Sequence, residues 1–275
     1  MCGIAGAINY KKYDLDSIKD SLYHRGPDEQ DVFCEKNVAL LHTRLSIQDI
    51  SSGHQPFHLG DFSMVFNGEI YNHLELRKTV LKKYNFSTTS DTETLLYMYI
   101  KFGNDMFDYL DGMFAFCILD RKKNHLFLAK DRAGKKPLYL YSDNDSVLFA
   151  SEINAIKLAV KNLSINNVAI ESYLRNGLFF CENTAFDNLV NLKAGHYTTI
   201  DINTLEINTY KYLLGIIFSI INTIFLIALG GLAIYISIKK RWYYNLIYMS
   251  EILRGIFGVV YYKKYEPVIK DIFKK

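Results

Sequence analysis

The sequence predicts an antiparallel α+β domain over residues 1–210, and three observations carry that reading. Short β-branched or aromatic runs alternate with turn residues, a few stretches show helical spacing instead, and a composition 49% apolar and 22% charged is enough for a packed core. The runs Val38–His42, Phe62–Asn67, Met113–Leu119, His125–Ala129, Pro137–Tyr141 and Val147–Ala150 read as strands. Leu15–Leu22 and Tyr71–Lys83 have helical spacing, and Thr92–Phe102 puts Leu95, Leu96, Tyr99 and Phe102 on one side, with Asp91 and Thr94 as its start. The clearest hairpin joins Cys117 to Leu128 through the turn Asp120–Asn124. Strand runs and helices in this mixture define an α+β layer structure.

After residue 210 the composition breaks. Leu213–Ile238 is 26 residues without a charge, about 39 Å as a helix against a hydrocarbon core of roughly 30 Å, so residues 213–238 are expected to form a transmembrane helix. Lys239-Lys240-Arg241-Trp242-Tyr243-Tyr244 then reads as a basic and aromatic anchor. The apolar stretch Asn245–Tyr262 is broken by Glu251 and Arg254, which can pair at i,i+3, and fits either a weak second span or an interfacial helix, the interfacial form being the expectation adopted. Residues 239–275 thus form a basic juxtamembrane tail. Beyond Ile238 nine Lys/Arg face three Asp/Glu, while residues 1–238 hold 23 against 26. No export signal precedes the domain. Cys2, Cys34, Cys117 and Cys181 lack C-x-x-C spacing and read as free thiols, so neither a disulfide framework nor a metal site is expected.

Chemistry points to the start of the chain. If Met1 is removed, Cys2 carries a thiol and a free α-amine, ordinarily about 8.5 and 7.7–8.0 in pKa, and an N-terminal nucleophile can use its own amine as base. Five further elements bear on it. His24-Arg25-Gly26-Pro27-Asp28 is a tight loop, and Thr43-Arg44-Leu45-Ser46-Ile47 follows a strand and offers a guanidinium fork for a carboxylate. Asn67-Gly68-Glu69-Ile70-Tyr71-Asn72 ends a strand at an Asn-Gly pair whose carboxamide and N–H can form an oxyanion hole. Glu69 and Asp91 can accept hydrogen bonds from a ligand ammonium. The loop Arg132-Ala133-Gly134-Lys135-Lys136-Pro137 precedes a strand and reads as structural.

In this order, these motifs resemble the class II glutamine amidotransferases, and within them the asparagine synthetase branch. Arg-Gly-Pro-Asp at 25–28, Arg-Leu-Ser-Ile at 44–47, Asn-Gly-Glu-Ile-Tyr-Asn at 67–72, Leu110–Phe116 and Ala150-Ser151-Glu152-Ile153 carry the resemblance. It implies an N-terminal-nucleophile hydrolase fold, a four-layer αββα sandwich. It also implies Cys2 as nucleophile and general base, and Asn67 with Gly68 as oxyanion hole. Arg44 would clamp the α-carboxylate of L-glutamine, the backbone of Leu45, Ser46, Ile47 and Gln48 would line the pocket, and Glu69 and Asp91 would take the α-amine. Gln48 stands where the family usually has an apolar residue.

Asparagine synthetases of this kind continue into an ATP-pyrophosphatase domain with a Ser-Gly-Gly-x-Asp-Ser loop. No such loop follows Tyr210 in these 275 residues, so no cofactor is expected, and the ammonia acceptor is expected to be a separate synthetase or other protein. Glutamine and the lipid bilayer are the other expected partners, with no nucleic acid. The basic cluster 239–241 argues for an external residue 1–212 segment under a single span; methionine removal and glutamine supply argue for a membrane protein whose catalytic domain faces the cytoplasm, which is the expectation adopted. The competing reading is a membrane-tethered module that binds glutamine without turnover.

Overall fold

The computed structural model describes residues 1–212. Met1–Met106 with Gly112–Tyr210 form one compact unit, and Phe107–Asp111 lie outside it. Among the described residues no helix is long and apolar enough to cross a membrane. The expected span at 213–238 and the tail at 239–275 lie outside them.

The larger unit contains two six-stranded sheets. The first has the order β10 (Leu189–Asn191), β8 (Tyr139–Ser142), β9 (Val147–Ala150), β1 (Gly3–Ile8), β3 (Val38–Arg44), β2 (Glu29–Glu35). The second runs β12 (Ile207–Lys211), β11 (His196–Asp201), β7 (His125–Lys130), β6 (Gly112–Asp120), β5 (Phe62–Ile70), β4 (Phe57–Leu59). β1 pairs antiparallel with β3 and β9 and is buried at every position. Gly6 is required in it, because a Cβ there would lie 2.5 Å from the Phe149 ring and 2.6 Å from the Ala39 carbonyl.

Side chains alternate across each strand, and the alternation assigns the layers. Ile4, Ile8, Val38, Leu40 and Phe149 from the first sheet meet Val65, Cys117, Leu119, Leu126 and Leu128 from the second. On the outer face of the first sheet, Ala5, Ala7, Leu41 and Leu148 pack on Ile18 of α1 (Leu15–Ser21) and on Ala155 and Ile156 of α4 (Ile153–Ala159). Against the outer face of the second lies α3 (Asp91–Phe102), whose Tyr99 ring meets Phe62 edge-on at 6.0 Å and Phe127 at 4.8 Å. The order is helix, sheet, sheet, helix, and each large side chain so buried contributes about 1.5–3 kcal/mol.

All six expected strands form, with ends shifted by at most a few residues, and the β6–β7 hairpin closes at Asp120 opposite His125. Three boundaries differ. β5 continues to Ile70, so Asn67-Gly68 lies inside a strand, opposite Ala115 and Phe114, and does not end one. The helix expected at Tyr71–Lys83 shortens to α2, His73–Lys78, and stops at β-branched Thr79-Val80. The N-cap of α3 is Ser90, whose side chain accepts from Thr92 N–H; Asp91 is already in the first turn. Expected neither as strand nor helix were β1, β2, β4, β10–β12, α4 and α5 (Asn167–Asn176).

Candidate active site

The space between the sheets changes character along its length. On β1 the inward series is Ile8, Gly6, Ile4 and then, just before the strand, Cys2; on β3 it is Val38, Leu40, His42, Arg44; on β5 it is Val65, Asn67, Glu69. The same alternation that fills the core with aliphatic side chains therefore delivers a thiol, an imidazole, a guanidinium, a carboxamide and a carboxylate to one end. There the thiol, guanidinium, carboxamide and carboxylate line a cavity of about 130 Å³ with Leu45, Ile47, Gln48, Gly68, Asp91 and Lys136.

The loops expected around Cys2 hold its backbone. Arg25 Nε donates to the Cys2 carbonyl at 3.0 Å, and Arg25 NH1 pairs with Glu152 at 2.9 Å, so the 25–28 and 150–153 motifs form one brace. Ser151 receives Ile4 N–H on its hydroxyl and donates its own N–H to the Ile4 carbonyl. Asp28 accepts the Ser46 N–H at 2.7 Å and donates its N–H to the Arg44 carbonyl. Gly26 allows this approach, since a Cβ would stand 2.3 Å from the Thr43 backbone. The Cys2 sulfur receives the Leu45 N–H at 3.5 Å. Burial pushes the thiol above its ordinary value; that hydrogen bond, the chain's amine, Arg44 and Lys136 pull the other way. Met1 is attached to Cys2 and lines the cavity with it.

Asn67 is 1% exposed, and both its Nδ2 and its Oδ1 lack a hydrogen-bond partner among the described residues. Buried carboxamides are seldom left so, because each orphaned polar atom costs about 1–3 kcal/mol. Next to it the sheet edge is open: β4 pairs only with Phe62–Met64, and Pro56 before it has no N–H. Beyond that point side chains receive the outward amides of β5, Phe66 N–H reaching Gln55 Oε1 at 2.6 Å and Ile70 N–H reaching Asp91 Oδ2 at 2.9 Å. Gly68 lies between these two in the same phase, so its N–H points the same way, toward the cavity it lines. Its missing Cβ would sit 2.2 Å from the Met113 carbonyl.

Residues 1–212 match the glutamine amidotransferase domain family. The chain belongs to that family. Its relatives are of asparagine synthetase type. Glutamine-hydrolysing asparagine synthetase 3 of Bacillus subtilis is 42% identical over 167 residues, covering 57% of this chain and 27% of the relative. Asparagine synthetase 2 of the same organism is 35% identical over 234 residues, covering 77% and 30%. Asparagine synthetase 2 of Oryza sativa subsp. japonica is 40% identical over 165 residues, covering 57% and 28%. The chain spans less than half the length of the curated relatives it matches. The solved glutamine phosphoribosylpyrophosphate amidotransferase of B. subtilis shares the fold, with a TM-score of 0.55 at 17% identity over 78% of this chain and 50% of that one. The N-terminal-nucleophile type of fold, with two antiparallel sheets, is thereby shown.

Within this amidotransferase domain the ten site residues expected from sequence do not all behave alike. Cys2, Arg44, Leu45, Ile47, Gln48, Asn67, Gly68, Glu69 and Asp91 line the cavity; Ser46 does not, its N–H being turned onto Asp28. Arg44 is 4% exposed and already employed: NH1 donates to Glu29 at 3.0 Å and the Ile50 carbonyl at 3.3 Å, NH2 to the Asp49 and Gln48 carbonyls at 2.6 and 3.4 Å. The guanidinium thus folds the 45–52 loop, and a substrate carboxylate must share it with these acceptors. Gln48 takes part through its backbone carbonyl. Burial lifts the Asp91 carboxyl to about 6, with the Ile70 hydrogen bond opposing and the Glu69 charge adding.

Three buried polar residues at or beside the site escaped the sequence reading. Gln55 fixes Phe66, one residue before the carboxamide, and reaches Thr92 Oγ1 at 3.3 Å. His42, 1% exposed, leaves Nε2 without a partner among the described residues and is held neutral by burial, its pKa about 3. Lys136, from the loop read as structural, is 4% exposed and lines the cavity. Its only signal was a lysine pair between Gly134 and Pro137.

Proposed function

We propose that this chain hydrolyses L-glutamine to L-glutamate and ammonia through Cys2, once Met1 is gone. The observation that carries the reading is the Asn67 carboxamide, buried with both polar atoms unpaired among the described residues, in the cavity that holds the Cys2 sulfur. The freed α-amine takes the thiol proton, and the sulfur attacks the substrate carboxamide carbon. The charge formed on the carbonyl oxygen meets Asn67 Nδ2 and the Gly68 N–H. Collapse breaks the C–N bond, the amine returns its proton to the leaving nitrogen, and ammonia departs from a thioester. Water, deprotonated by the same amine, then hydrolyses the thioester and restores the thiol. Glu69 and Asp91 receive the substrate ammonium and Arg44 its carboxylate.

The ammonia serves an amidation such as aspartate to asparagine, carried out by a synthetase or other acceptor protein. The charge-free run 213–238 and the basic tail 239–275 anchor the chain to the bilayer, with the catalytic domain facing the cytoplasm. Ammonia release from glutamine by the purified full chain tests the chemistry: stoichiometric glutamate with ammonia supports it, and glutamine binding without either product selects the docking module instead. Carbonate extraction tests the anchor, which is excluded if the chain stays in the supernatant.

A further inference from the structure

Two buried carboxamides line the cavity, and their surroundings are opposite. Asn67 has neither polar atom paired among the described residues, whereas Gln55, 6% exposed, has both engaged: its Oε1 accepts the Phe66 N–H at 2.6 Å and its Nε2 donates to Thr92 Oγ1 at 3.3 Å. The first is free to meet a ligand. The second is committed to the strand that carries the first.

The register of the sheet shows what the Gln55 side chain replaces. β4 pairs with β5 from Leu59 opposite Phe62 to Phe57 opposite Met64, and the same ladder continued would set residue 55 opposite Phe66. There it would exchange backbone hydrogen bonds with Phe66, and the following pair would reach Gly68. Instead the side chain of Gln55 takes the Phe66 N–H and the ladder stops. On the other side of Gly68, Asp91 Oδ2 accepts the Ile70 N–H at 2.9 Å. Two side-chain acceptors thus bracket Gly68 and leave its own N–H to the cavity.

Both acceptors rest on the first turn of α3, through Thr92 and Asp91, and that turn is itself held firmly. Glu93, 1% exposed, accepts the Ser87 and Thr88 N–H groups at 2.9 and 2.7 Å, while Arg77 donates to the Thr88 carbonyl at 2.7 Å and to Thr94 Oγ1 at 2.6 Å. The helix start is a fixed support for β5. Building on the glutaminase reading above, we propose that Gln55 is a positioning residue for the oxyanion hole: by accepting the Phe66 N–H and bracing on Thr92, it sets where the Asn67 carboxamide and the Gly68 N–H stand. It acts on turnover and not on glutamine affinity, because both ends of its carboxamide are already used. Without that acceptor the buried Phe66 amide is orphaned, and β5 must shift or admit water to satisfy it. A displacement of about 1 Å at a reacting centre costs up to roughly 100-fold in rate.

The test compares the processed full chain with Gln55→Met, which keeps the side-chain length and loses both polar atoms, and with Gln55→Glu, which keeps an oxygen for the Phe66 N–H. Gln55→Met should lower kcat for glutamine roughly 10- to 100-fold with KM within about twofold of wild type, and Gln55→Glu should recover most of kcat. Gln55→Asn, one methylene shorter, should fall between them and serves if the methionine variant does not fold. Alkylation of Cys2 by iodoacetamide forms no oxyanion, so its rate should match wild type in every variant; mass spectrometry of the N-terminal peptide separates it from the exposed Cys34 and Cys181. Hydrogen exchange on the peptide 62–70 should show the Phe66 amide losing protection in Gln55→Met and keeping it in Gln55→Glu. A raised KM at constant kcat would make Gln55 a substrate contact, and turnover and alkylation falling in parallel would make its role a general structural one; either overturns the assignment, as does unchanged exchange in Gln55→Met. The glutaminase reading is judged separately: if wild-type protein fully alkylated at Cys2 still releases ammonia, that reading fails, while the exchange comparison still decides whether Gln55 holds β5.

Discussion

The two ends of the space between the sheets are lined by the same three strands and are opposite in kind. At one end Ile8, Val38, Leu40 and Val65, with Phe149 of the neighbouring β9, form a closed aliphatic and aromatic core; at the other, positions in the same phase of those three strands carry Cys2, His42, Arg44, Asn67 and Glu69. The apolar end fixes the separation and register of the sheets. The polar end uses that rigidity to keep groups unsatisfied that a free chain would solvate. Stability and chemistry are thus divided along one direction, a few residues apart, and substitutions should separate them.

Cys2→Ala tests the division most severely: ammonia release should vanish, with no change in melting temperature, because the replaced atom belongs to the polar end alone. Retained turnover would mean that another group is the nucleophile. Phe149→Ala should do the reverse, lowering unfolding free energy by about 3–5 kcal/mol while turnover per folded molecule holds at permissive temperature. A denaturant titration beside a rate measurement reads both; a fall in rate matching the fall in stability would break the separation. Asn67→Ala should reduce turnover roughly 100- to 1,000-fold and leave stability unchanged or higher, since it deletes two unpaired buried atoms. An unaltered rate would remove Asn67 from the oxyanion role.

The smaller effects are those of pH, and both arise at the polar end, with opposite signs. Asp91, lifted to about 6, loses its charge as pH falls through that value, so KM for glutamine should rise about tenfold between pH 7 and 5 if its carboxylate receives the substrate ammonium. A flat KM over that range would exclude the contact. His42 is held neutral down to about 3, whereas the unfolded chain takes up the proton near 6.5. Its contribution to stability is therefore present above pH 6.5 and is lost as pH falls toward 3. Between pH 6.5 and 5 the wild type should lose about 2 kcal/mol relative to His42→Gln, a difference in which the opposite contribution of Asp91 cancels. Equal acid sensitivity of the two proteins would show that the imidazole is not the titrating group.

Much of this was legible in the sequence, and what was not has physical reasons. β5 and β6, though buried at most positions, are rich in β-branched and aromatic residues and so were found. β1, equally covered on both faces, was not, because the small residues Gly3, Ala5, Gly6 and Ala7 carry no such signal. β2 is half exposed and polar, with Glu29, Gln30, Asp31 and Glu35 along it. The site was legible through motifs: nine of the ten expected residues line the cavity. The braces around it were only partly so, since Arg25 with Glu152 and Asp28 with Ser46 join positions far apart in the chain. Lys136 and Gln55 were missed for a related reason: a lysine in a loop and a glutamine before a proline acquire their meaning only from what the fold sets beside them.

The shortness of β4 has a consequence for anyone who would redesign this domain. Had that border strand run on past Pro56 to pair with Phe66 and Gly68, its carbonyls would have consumed the very amide that the proposed reaction requires, and the result would be a tidier, more stable and inert protein. The proposed reaction depends on a seam left unstitched, so a graft that lengthens the border by four residues, to reach Gly68, should yield a well-folded blank, useful as an inactive twin when the fate of the released nitrogen is traced.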